Sequence, residues 1–333
     1  MSALEKPRDP AEVIGTRLIG ARVSCVERVG GGRNSRVWRL VAEGASYALK
    51  NYPADDSRDR LGAERTALRL MEAMGIDCVP RFIAADDAER FALISWLPGG
   101  PVGQVGVGDA HAALDLLRRL HAGREHATLG RNRFASEACL SGSEVERQIL
   151  ARVERLRAVG DAPELAAFLD RIFRPALVRS LDTAFSRATA AGIPFEATLP
   201  WEHWTLAPSD FGFHNALRSE TGGLAFLDFE YFGWDDPAKL IADFLLHPGT
   251  PVSDEVRMEI HAGALDVYGE DSGFAARLGA YYPLFALRWA LILCNEFLPE
   301  AQARRRLAGV PIEPARQLAK AEAMVAIALK GLT

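Results

Sequence analysis

Two short polar motifs in the C-terminal half constrain this chain more than any other feature. The first is SDFGFHN, from Ser209 to Asn215, and the second is LDFE, from Leu227 to Glu230. Two short strand-like runs and a Gly-rich turn separate them, so the motifs fall on a loop and a β-hairpin. Two carboxylates and an amide held in this way can orient a hydroxyl group and bind Mg²⁺.

Length and charge exclude several classes of protein. The chain has 333 residues, enough for two packed lobes. Its 49% hydrophobic and 25% charged residues are typical of a globular protein. Lysine and arginine number 39 against 44 acidic residues, a net charge of −5. No broad basic surface is expected, so nucleic acid is not predicted as a partner.

Cysteine usage and hydropathy indicate a reduced, cytoplasmic setting without a membrane span. The four cysteines include no CxxC pair, so neither a zinc site nor a disulfide framework is predicted. The longest apolar stretch, residues 284–294, contains Arg288 and is too short to cross a bilayer. Residues 1–10 lack the apolar region of a secretion signal, and we expect them to form a frayed lead-in.

The N-terminal third alternates between strand and helix patterns. We predict three strands, one helix and two further strands, over residues 22–29, 36–42, 47–52, 59–74, 81–85 and 90–96. The Pro- and Gly-rich segment 97–101 interrupts both kinds of structure. We therefore predict a small antiparallel N-terminal lobe over 1–97 and a second lobe over 98–333.

The second lobe has mostly helical patterns. Helices are predicted over 109–121 and 143–190, and another begins at Pro237, after the N-cap residue Asp236, and ends near His247. A hairpin with strands 215–218 and 224–229 interrupts them. The predicted fold class is thus α+β, with a β-rich lobe and a larger helical lobe.

Lys50 and Glu64 are two charged residues at positions predicted to be buried. Strand alternation puts Lys50 on one face with Ala48 and Tyr52. The 3.6-residue period places Glu64 in the apolar stripe of helix 59–74. An ion pair between them would resolve both anomalies, because a buried charge needs a partner. The alternative is that Lys50 snorkels to solvent and Glu64 lies at the edge of the stripe.

The glycine run Gly30-Gly31-Gly32, followed by Asn34 and Ser35, admits two interpretations. It leads into a strand, which disfavours a Rossmann loop because that loop must open a helix. A glycine loop between antiparallel strands can instead fold over phosphates with its backbone N–H groups. The alternative is an ordinary hairpin turn.

The two opening motifs supply candidate catalytic and metal-binding residues. Asp210 would accept the proton of an acceptor hydroxyl, and Asn215 and Asp228 would bind Mg²⁺. Alternation on the returning strand would place Glu230 beside Asp228, where it could supplement the metal ligands. The alternative for Asp210 and Asn215 is Asx-turn hydrogen bonding. The order of these residues together with Lys50 and Glu64 favours the catalytic interpretation.

These motifs resemble those of the aminoglycoside phosphotransferase and choline kinase family, which has a two-lobed protein-kinase-like fold. The resemblance runs from about Val26 to Asp243. It implies an ATP- and Mg²⁺-dependent small-molecule kinase with a nucleotide-binding lobe over 1–97. It also implies site roles, which are a base at Asp210, Mg²⁺ ligands at Asn215 and Asp228, a phosphate-holding pair at Lys50 and Glu64, and an adenine pocket at Ser95, Trp96 and Leu97.

The chain departs from the family pattern at two positions. Pro208 stands where the family usually has His, two residues before the base. Leu240 stands where an Asp often follows the Asp-Pro step, and Asp243 lies one turn further on. In similar enzymes the His braces the loop, so this departure concerns loop support rather than phosphate chemistry.

The acceptor is expected to bind in the helical lobe, within 140–205 and 275–305. The candidate acceptor residues are Trp201, His203, His214, Arg288, Trp289 and Glu296. Aromatic, cationic and acidic groups of this kind suit a sugar or amino-sugar derivative, although they could equally form a helix core with an ion pair. Choline- or ethanolamine-type amines and aminoglycosides are the second choice. The residues leave the acceptor and the oligomeric state open.

Two other functions compete with a small-molecule kinase. A nucleotide-binding pseudokinase scaffold is suggested by Pro208, but a scaffold has no evident need for the metal and phosphate groups. A protein kinase is disfavoured because few residues separate Asp228 from Asp236, too few for an activation segment.

Overall fold

The computed structural model describes residues 9–29, 35–53, 58–249, 251–308 and 311–331. These residues form two compact units assembled from discontinuous segments. The first unit takes residues up to Gly103 together with Glu125–Leu129 and Phe213–Phe232, and the second unit takes the rest. The lobe limits predicted at 97 and 98 stay a prediction. Gly30, Gly31, Gly32 and Asn34 lie outside the described residues.

A five-stranded antiparallel sheet forms most of the first unit. Its strands, in the order β1-β2-β3-β5-β4, are β1 (Cys25–Val29), β2 (Arg36–Ala42), β3 (Ala45–Asn51), β5 (Phe91–Ser95) and β4 (Phe82–Asp86). Helix α2 (Arg60–Ala73) lies between β3 and β4 in the chain, and Asp59 caps it by accepting from the N–H of Gly62. The predicted five strands and helix are confirmed to within a few residues.

An N-terminal helix, α1 (Pro10–Ile19), lies where the sequence analysis predicts no element. Residues 1–8 of the expected lead-in lie outside the described residues. Asp9 accepts from the N–H of Ala11, and Pro10 stands at the first helical position. Ala11 and Ile14 pack into the core of the sheet with Leu40 and Leu49. Asp9, Pro10 and the spacing of Ala11 and Ile14 were the available sequence signals for this helix.

A second, three-stranded sheet completes the first unit, in the order β6-β8-β9. Its strands are β6 (Gly100–Pro101), β8 (Ala216–Arg218) and β9 (Leu224–Phe226). The predicted hairpin is present, but the expectation that its second strand continues to 229 is wrong. The chain leaves the strand after Phe226, and Asp228 adopts a left-handed backbone with φ of 69°.

The second unit is mostly helical. Its helices are α3 (Val107–Ala122), α4 (Gly142–Arg157), α5 (Pro163–Phe168), α6 (Arg174–Ala190), α7 (Pro237–Leu246), α8 (Asp254–Val267), α9 (Phe274–Leu293), α10 (Pro299–Ala308) and α11 (Pro314–Lys330). The helical pattern predicted over 143–190 is present as α4, α5 and α6, where Gly160 lies between α4 and α5, Pro163 begins α5, and a π-helical turn over Leu169–Phe173 joins α5 to α6. Strands β7 (Thr205–Ala207) and β10 (Gly233–Asp235) pair antiparallel.

Helix α9 is the centre of the helical core. It packs against α4, α6, α7 and α11, and its residues are buried on most sides, including Pro283 within the helix. A helix that is apolar around most of its circumference belongs in a protein interior. Among the described residues, no helix is both long and apolar enough to cross a membrane.

Candidate active site

Lys50 is the centre of a buried charge cluster in the first unit. Its Nζ lies 2.7 Å from Glu64 Oε2, 2.5 Å from Asp228 Oδ1 and 3.0 Å from Glu230 Oε2. The ion pair that the sequence predicts between Lys50 and Glu64 is present. Strand β3 supplies the lysine, α2 supplies Glu64, and the segment after β9 supplies the other two carboxylates. Three carboxylates from two other chain segments therefore converge on one ammonium group.

The cluster keeps Lys50 charged. Burial alone lowers the pKa of the lysine, but the negative charges of Glu64, Asp228 and Glu230, with Tyr52, outweigh it and raise the pKa well above its usual value. Burial also raises the pKa of Glu64, against the opposing effect of Lys50. The Tyr52 hydroxyl donates to Glu64 Oε2 and contributes to holding the carboxylate. The raised pKa favours the charged form of Lys50, and its three carboxylate contacts hold the ammonium group in place.

Arg60 and Tyr52 belong to the cluster and were missed by sequence reasoning. The Arg60 guanidinium donates to Glu230 Oε1 and to the hydroxyl of Tyr231, and its side chain is almost fully buried. Arg60 lies one turn before Glu64 on α2, and this shared helix face was the signal that could have found it. Tyr52 shares a strand face with Lys50, as alternation indicated.

The carboxylates of the cluster fit a divalent cation. One oxygen each from Glu64, Asp228 and Glu230 lies within 4.8 Å of the others. The Asp228 side chain is 32% exposed, whereas that of Glu230 is fully buried between Lys50 and Arg60. Asp228 is therefore the most accessible of the three oxygen donors. A left-handed φ at a non-glycine residue is the kind of local strain found at ligand-binding positions.

The other residues of the first unit that are predicted to bind metal or nucleotide differ in their contacts and burial. Asn215 ends a 3₁₀ turn with His214, and its carbonyl accepts from the Leu227 N–H at 2.8 Å, so the two motifs meet at the base of the hairpin. Ser95 Oγ accepts from the Arg81 N–H, and the Arg39 guanidinium stacks on Trp96 at 5.2 Å. Ser35 and Leu97 are half-buried. Their contacts with nucleotide stay predictions.

Asp210 belongs to the second unit and follows a strained residue. Ser209 has φ of 69°, and its hydroxyl donates to the Ser136 carbonyl at 3.1 Å. Phe211 packs edge-on against Phe244 of α7, with ring centroids 5.1 Å apart. The loop is thus pinned on both sides of Asp210, whose side chain is 34% exposed. A fixed and partly solvent-accessible carboxylate is suited to accept a proton.

A cavity of about 880 Å³ lies in the second unit, beside the segment that accepts from Ser209. Its polar lining comes from α4, the loop before it and the segment after α6, and includes Glu137, Ser141, Ser143, Glu144, Arg147, Gln148, Arg152, Arg155, Glu196 and Thr198. Three glutamates face three arginines in this lining. Arg147 pairs with Glu144 at 2.7 Å, and Arg152 pairs with Glu137 at 2.5 Å.

The predicted acceptor residues of the second unit fall into separate groups. Arg288 and Trp289 meet at Asp243, whose oxygens accept from them at 3.3 and 2.8 Å. Trp201 stacks under the Arg131 guanidinium at 3.8 Å, and His203 Nδ1 lies 3.7 Å from Asp271 Oδ1. Glu296 is buried and pairs with Arg305 at 3.1 Å. Of these residues, Arg288 contacts two side chains of the cavity lining, Gln148 and Glu137.

Comparison with known proteins now decides the family. Residues 26–276 match the model of the Phosphotransferase enzyme family. The chain belongs to this family. It is therefore a phosphotransferase, and the predicted resemblance and enzyme class are confirmed. A comparison with curated protein sequences found no match.

Several solved structures share the fold of this phosphotransferase at low sequence identity. Spectinomycin phosphotransferase, solved with ADP and spectinomycin, matches with a TM-score of 0.62 and 14% identity, over 98% of this chain and 100% of the other. Choline kinase from Cryptosporidium parvum Iowa II matches with a TM-score of 0.62 and 12% identity, over 97% and 96%. The predicted α+β, protein-kinase-like fold is confirmed.

Proposed function

We propose that this phosphotransferase is an ATP-dependent cytoplasmic kinase that phosphorylates a hydroxyl group of a small polar metabolite, a sugar or amino-sugar derivative. The observation that supports it best is the position of Lys50, which contacts Glu64 and Asp228 at 2.7 and 2.5 Å. An ammonium group fixed by one acid and adjacent to a second is suited to hold nucleotide phosphates beside a metal ligand.

The nucleotide would be bound by residues of the first unit. Lys50, held by Glu64, would contact the phosphates, and the segment from Ser95 to Leu97 would line the adenine. The glycine run 30–32 with Asn34 and Ser35 would cover the phosphates with backbone N–H groups. The spectinomycin phosphotransferase structure contains ADP, which agrees with nucleotide use in this fold.

Asp228 and Asn215 would hold Mg²⁺, with Glu230 as a further ligand. The fit rests on charge, because Glu64, Asp228 and Glu230 outnumber the two cations Lys50 and Arg60 in the cluster. A hard cation prefers carboxylate and amide oxygens. When bound, Mg²⁺ would neutralise phosphate charge during transfer. The carboxylate of Glu230, enclosed by Lys50 and Arg60, would mainly orient the lysine.

Asp210 would act as the base. One carboxylate oxygen takes the proton of the acceptor hydroxyl while the hydroxyl oxygen forms a bond to the γ-phosphorus. The bond between that phosphorus and the β,γ-bridging oxygen breaks, and ADP leaves with the bonding electrons. The proton passes from Asp210 to solvent after the products leave. The protein contributes positioning and fixed charges rather than covalent chemistry.

The cavity beside the Ser136 segment is the best candidate for the acceptor site. Its three glutamates and three arginines balance, and two of the arginines are already paired with glutamates. A polycationic aminoglycoside would favour an acidic lining, whereas a polyhydroxylated molecule needs many donors and acceptors without net charge. Trp201, His203, His214, Arg288, Trp289 and Glu296 remain predictions as acceptor-binding residues.

The acceptor can be identified by ADP release from the purified enzyme with Mg-ATP. The panel would contain neutral sugars, amino sugars, aminoglycosides, choline and ethanolamine. We expect turnover with a sugar or amino sugar. Turnover restricted to choline, ethanolamine or aminoglycosides would contradict the proposed acceptor class, and nucleotide binding without any turnover would favour the pseudokinase scaffold.

Asp210→Asn tests the proposed base. We expect kcat to fall by about three orders of magnitude while Mg-ATP affinity changes little, because the amide cannot accept the proton. Asp161→Asn, at an exposed residue of the same unit, is the matched control and should be unchanged. Unchanged kcat in the Asp210 variant would refute its role.

A further inference from the structure

His247 follows the last residue of α7 and faces the proposed base. Its Nε2 lies 3.5 Å from Asp210 Oδ1, and both residues belong to the second unit. The imidazole is mostly buried, with 16% of its side chain exposed. Hydrogen bonds to a catalytic group are often long without substrate and shorten in the reactive complex.

The other ring nitrogen determines which tautomer faces Asp210. The backbone N–H of Gly249 donates to His247 Nδ1 at 3.0 Å. A nitrogen that accepts a hydrogen bond carries no proton, so the neutral imidazole carries its proton on Nε2. The Nε2–H group therefore points a donor at the Asp210 carboxylate.

A second contact fixes the plane of the imidazole. The Trp289 indole lies edge-to-face against it, with ring centroids 4.9 Å apart. The Trp289 Nε1–H donates to Asp243 Oδ1 at 2.8 Å, and Asp243 Oδ2 lies 3.2 Å from Lys239 Nζ. The imidazole thus rests on a side chain that is itself tied to a buried ion pair.

We propose that His247 is a positioning residue for the phosphoryl-transfer reaction. Its Nε2–H group holds Oδ1 of Asp210 and so fixes the orientation of the carboxylate that would accept the proton of the acceptor hydroxyl. Gly249 sets the tautomer, and Trp289 sets the ring orientation. This inference rests on the proposed role of Asp210 as the base.

Two substitutions of His247 separate the donor function from packing. His247→Asn keeps an acceptor near the position of Nδ1 for Gly249 but removes the donor at Nε2. His247→Gln places an amide N–H near the position of Nε2. We expect kcat to fall on the order of tenfold to a hundredfold in the Asn variant, as misplacement of a catalytic group does. KM for Mg-ATP should change little, and the Gln variant should recover most of the loss.

His111→Asn is the matched control, because His111 Nε2 pairs with Glu259 at 2.7 Å on the exposed surface of the same unit. Its kcat should equal that of the wild type. A double-mutant cycle with Asp210→Asn adds a readout that a merely structural role would not move. If His247 acts through Asp210, His247→Asn should lower kcat in the wild type and have no effect in the Asp210→Asn background.

The tautomer can be measured without activity by imidazole ¹⁵N NMR of the full-length protein, with His247 assigned by its absence in His247→Asn. We expect protonated Nε2 and unprotonated Nδ1. A protonated Nδ1, additive effects in the cycle, or wild-type kcat in a folded His247→Asn variant would each overturn the inference. If His247→Asn kept wild-type kcat but Asp210→Asn were inactive, the inference about His247 would fail and the proposed function would stand. Full activity of Asp210→Asn would instead refute the base itself.

Discussion

Each unit of this protein buries a cluster of charged side chains, but the two clusters differ in charge balance and in access to solvent. In the first unit, three carboxylates contact Lys50 and Arg60, which leaves one excess negative charge among these five side chains of the described residues. In the second unit, Asp235 and Asp243 balance Lys239 and Arg288. The same residue types therefore form an anionic cluster in one place and a neutral one in the other.

The two clusters also differ in solvent exposure. Asp228 in the first cluster keeps 32% of its side chain exposed, whereas Lys239 and Asp235 in the second keep 1% and none. A buried ion pair costs desolvation free energy and persists when its partners are complete. An excess carboxylate open to solvent, by contrast, can recruit a cation. The comparison supports our proposal that the first cluster binds a cation, whereas the second cluster is a buried network of ion pairs that also holds Trp289 through Asp243.

The largest expected effect that tests this comparison is the loss of activity in Asp228→Asn. We expect kcat to fall by about 10³-fold, because removing a metal ligand weakens charge stabilisation of the transferring phosphate. The free energy of unfolding should change by less than about 1 kcal/mol, since Lys50 keeps Glu64 and Glu230 as partners. Turnover and urea unfolding measure the two effects.

The companion control for that variant is again Asp161→Asn. If Asp228→Asn instead destabilised the protein strongly while each folded molecule remained active, the first cluster would be structural and the contrast between the units would disappear.

Lys239→Met should lower the free energy of unfolding strongly, in contrast to Asp228→Asn. It leaves Asp235 and Asp243 without their shared cation in a sealed environment, and we expect a loss of about 3–5 kcal/mol of unfolding free energy. Urea denaturation measures this loss. Arg118→Met, which breaks an exposed pair with Asp266, is the control and should cost less than about 1 kcal/mol. Equal losses of unfolding free energy in Lys239→Met and Arg118→Met would contradict the burial of the second cluster from solvent.

The smallest expected effect is on the pH dependence of stability, and it concerns His121, a buried imidazole that is held neutral. Its burial lowers its pKa from 6.5 to about 4, and its Nδ1 lies 3.1 Å from the Thr205 hydroxyl. The folded state disfavours the proton, so this contribution to stability is present above pH 6.5 and is lost as the pH falls toward 4. Between pH 7.5 and 5, we expect the wild type to lose on the order of 1 kcal/mol more than His121→Gln. Equal pH dependence in urea unfolding would contradict this.

The sequence predicted the local elements well where periodicity and caps agree. The strands of the sheet, helix α2 and helix α7 appear within a few residues of their predicted limits. Helix α1 was missed although Asp9 and Pro10 are ordinary start signals. The helical pattern over 143–190 is confirmed, but the sequence prediction did not give the limits of the helices within it.

The candidate site was predicted in part. The Lys50–Glu64 pair followed from two independent periodicities, each of which placed a charge on a buried face. The alternation argument for Asp228 and Glu230 was wrong, because β9 ends at Phe226. Both carboxylates nevertheless reach Lys50, since the irregular segment turns back through the left-handed residue Asp228.

By itself, the sequence determined the family, the order of the reactive residues and the α+β class, because motif spacing and periodicity are local properties of the chain. Apart from the Lys50–Glu64 pair, only the tertiary structure decided which of the charged side chains meet. It placed Arg60 against Glu230 and His247 against Asp210, contacts between residues that are remote in sequence. Such pairs leave no periodic signal, since the packing of whole elements, rather than local backbone preference, brings them together.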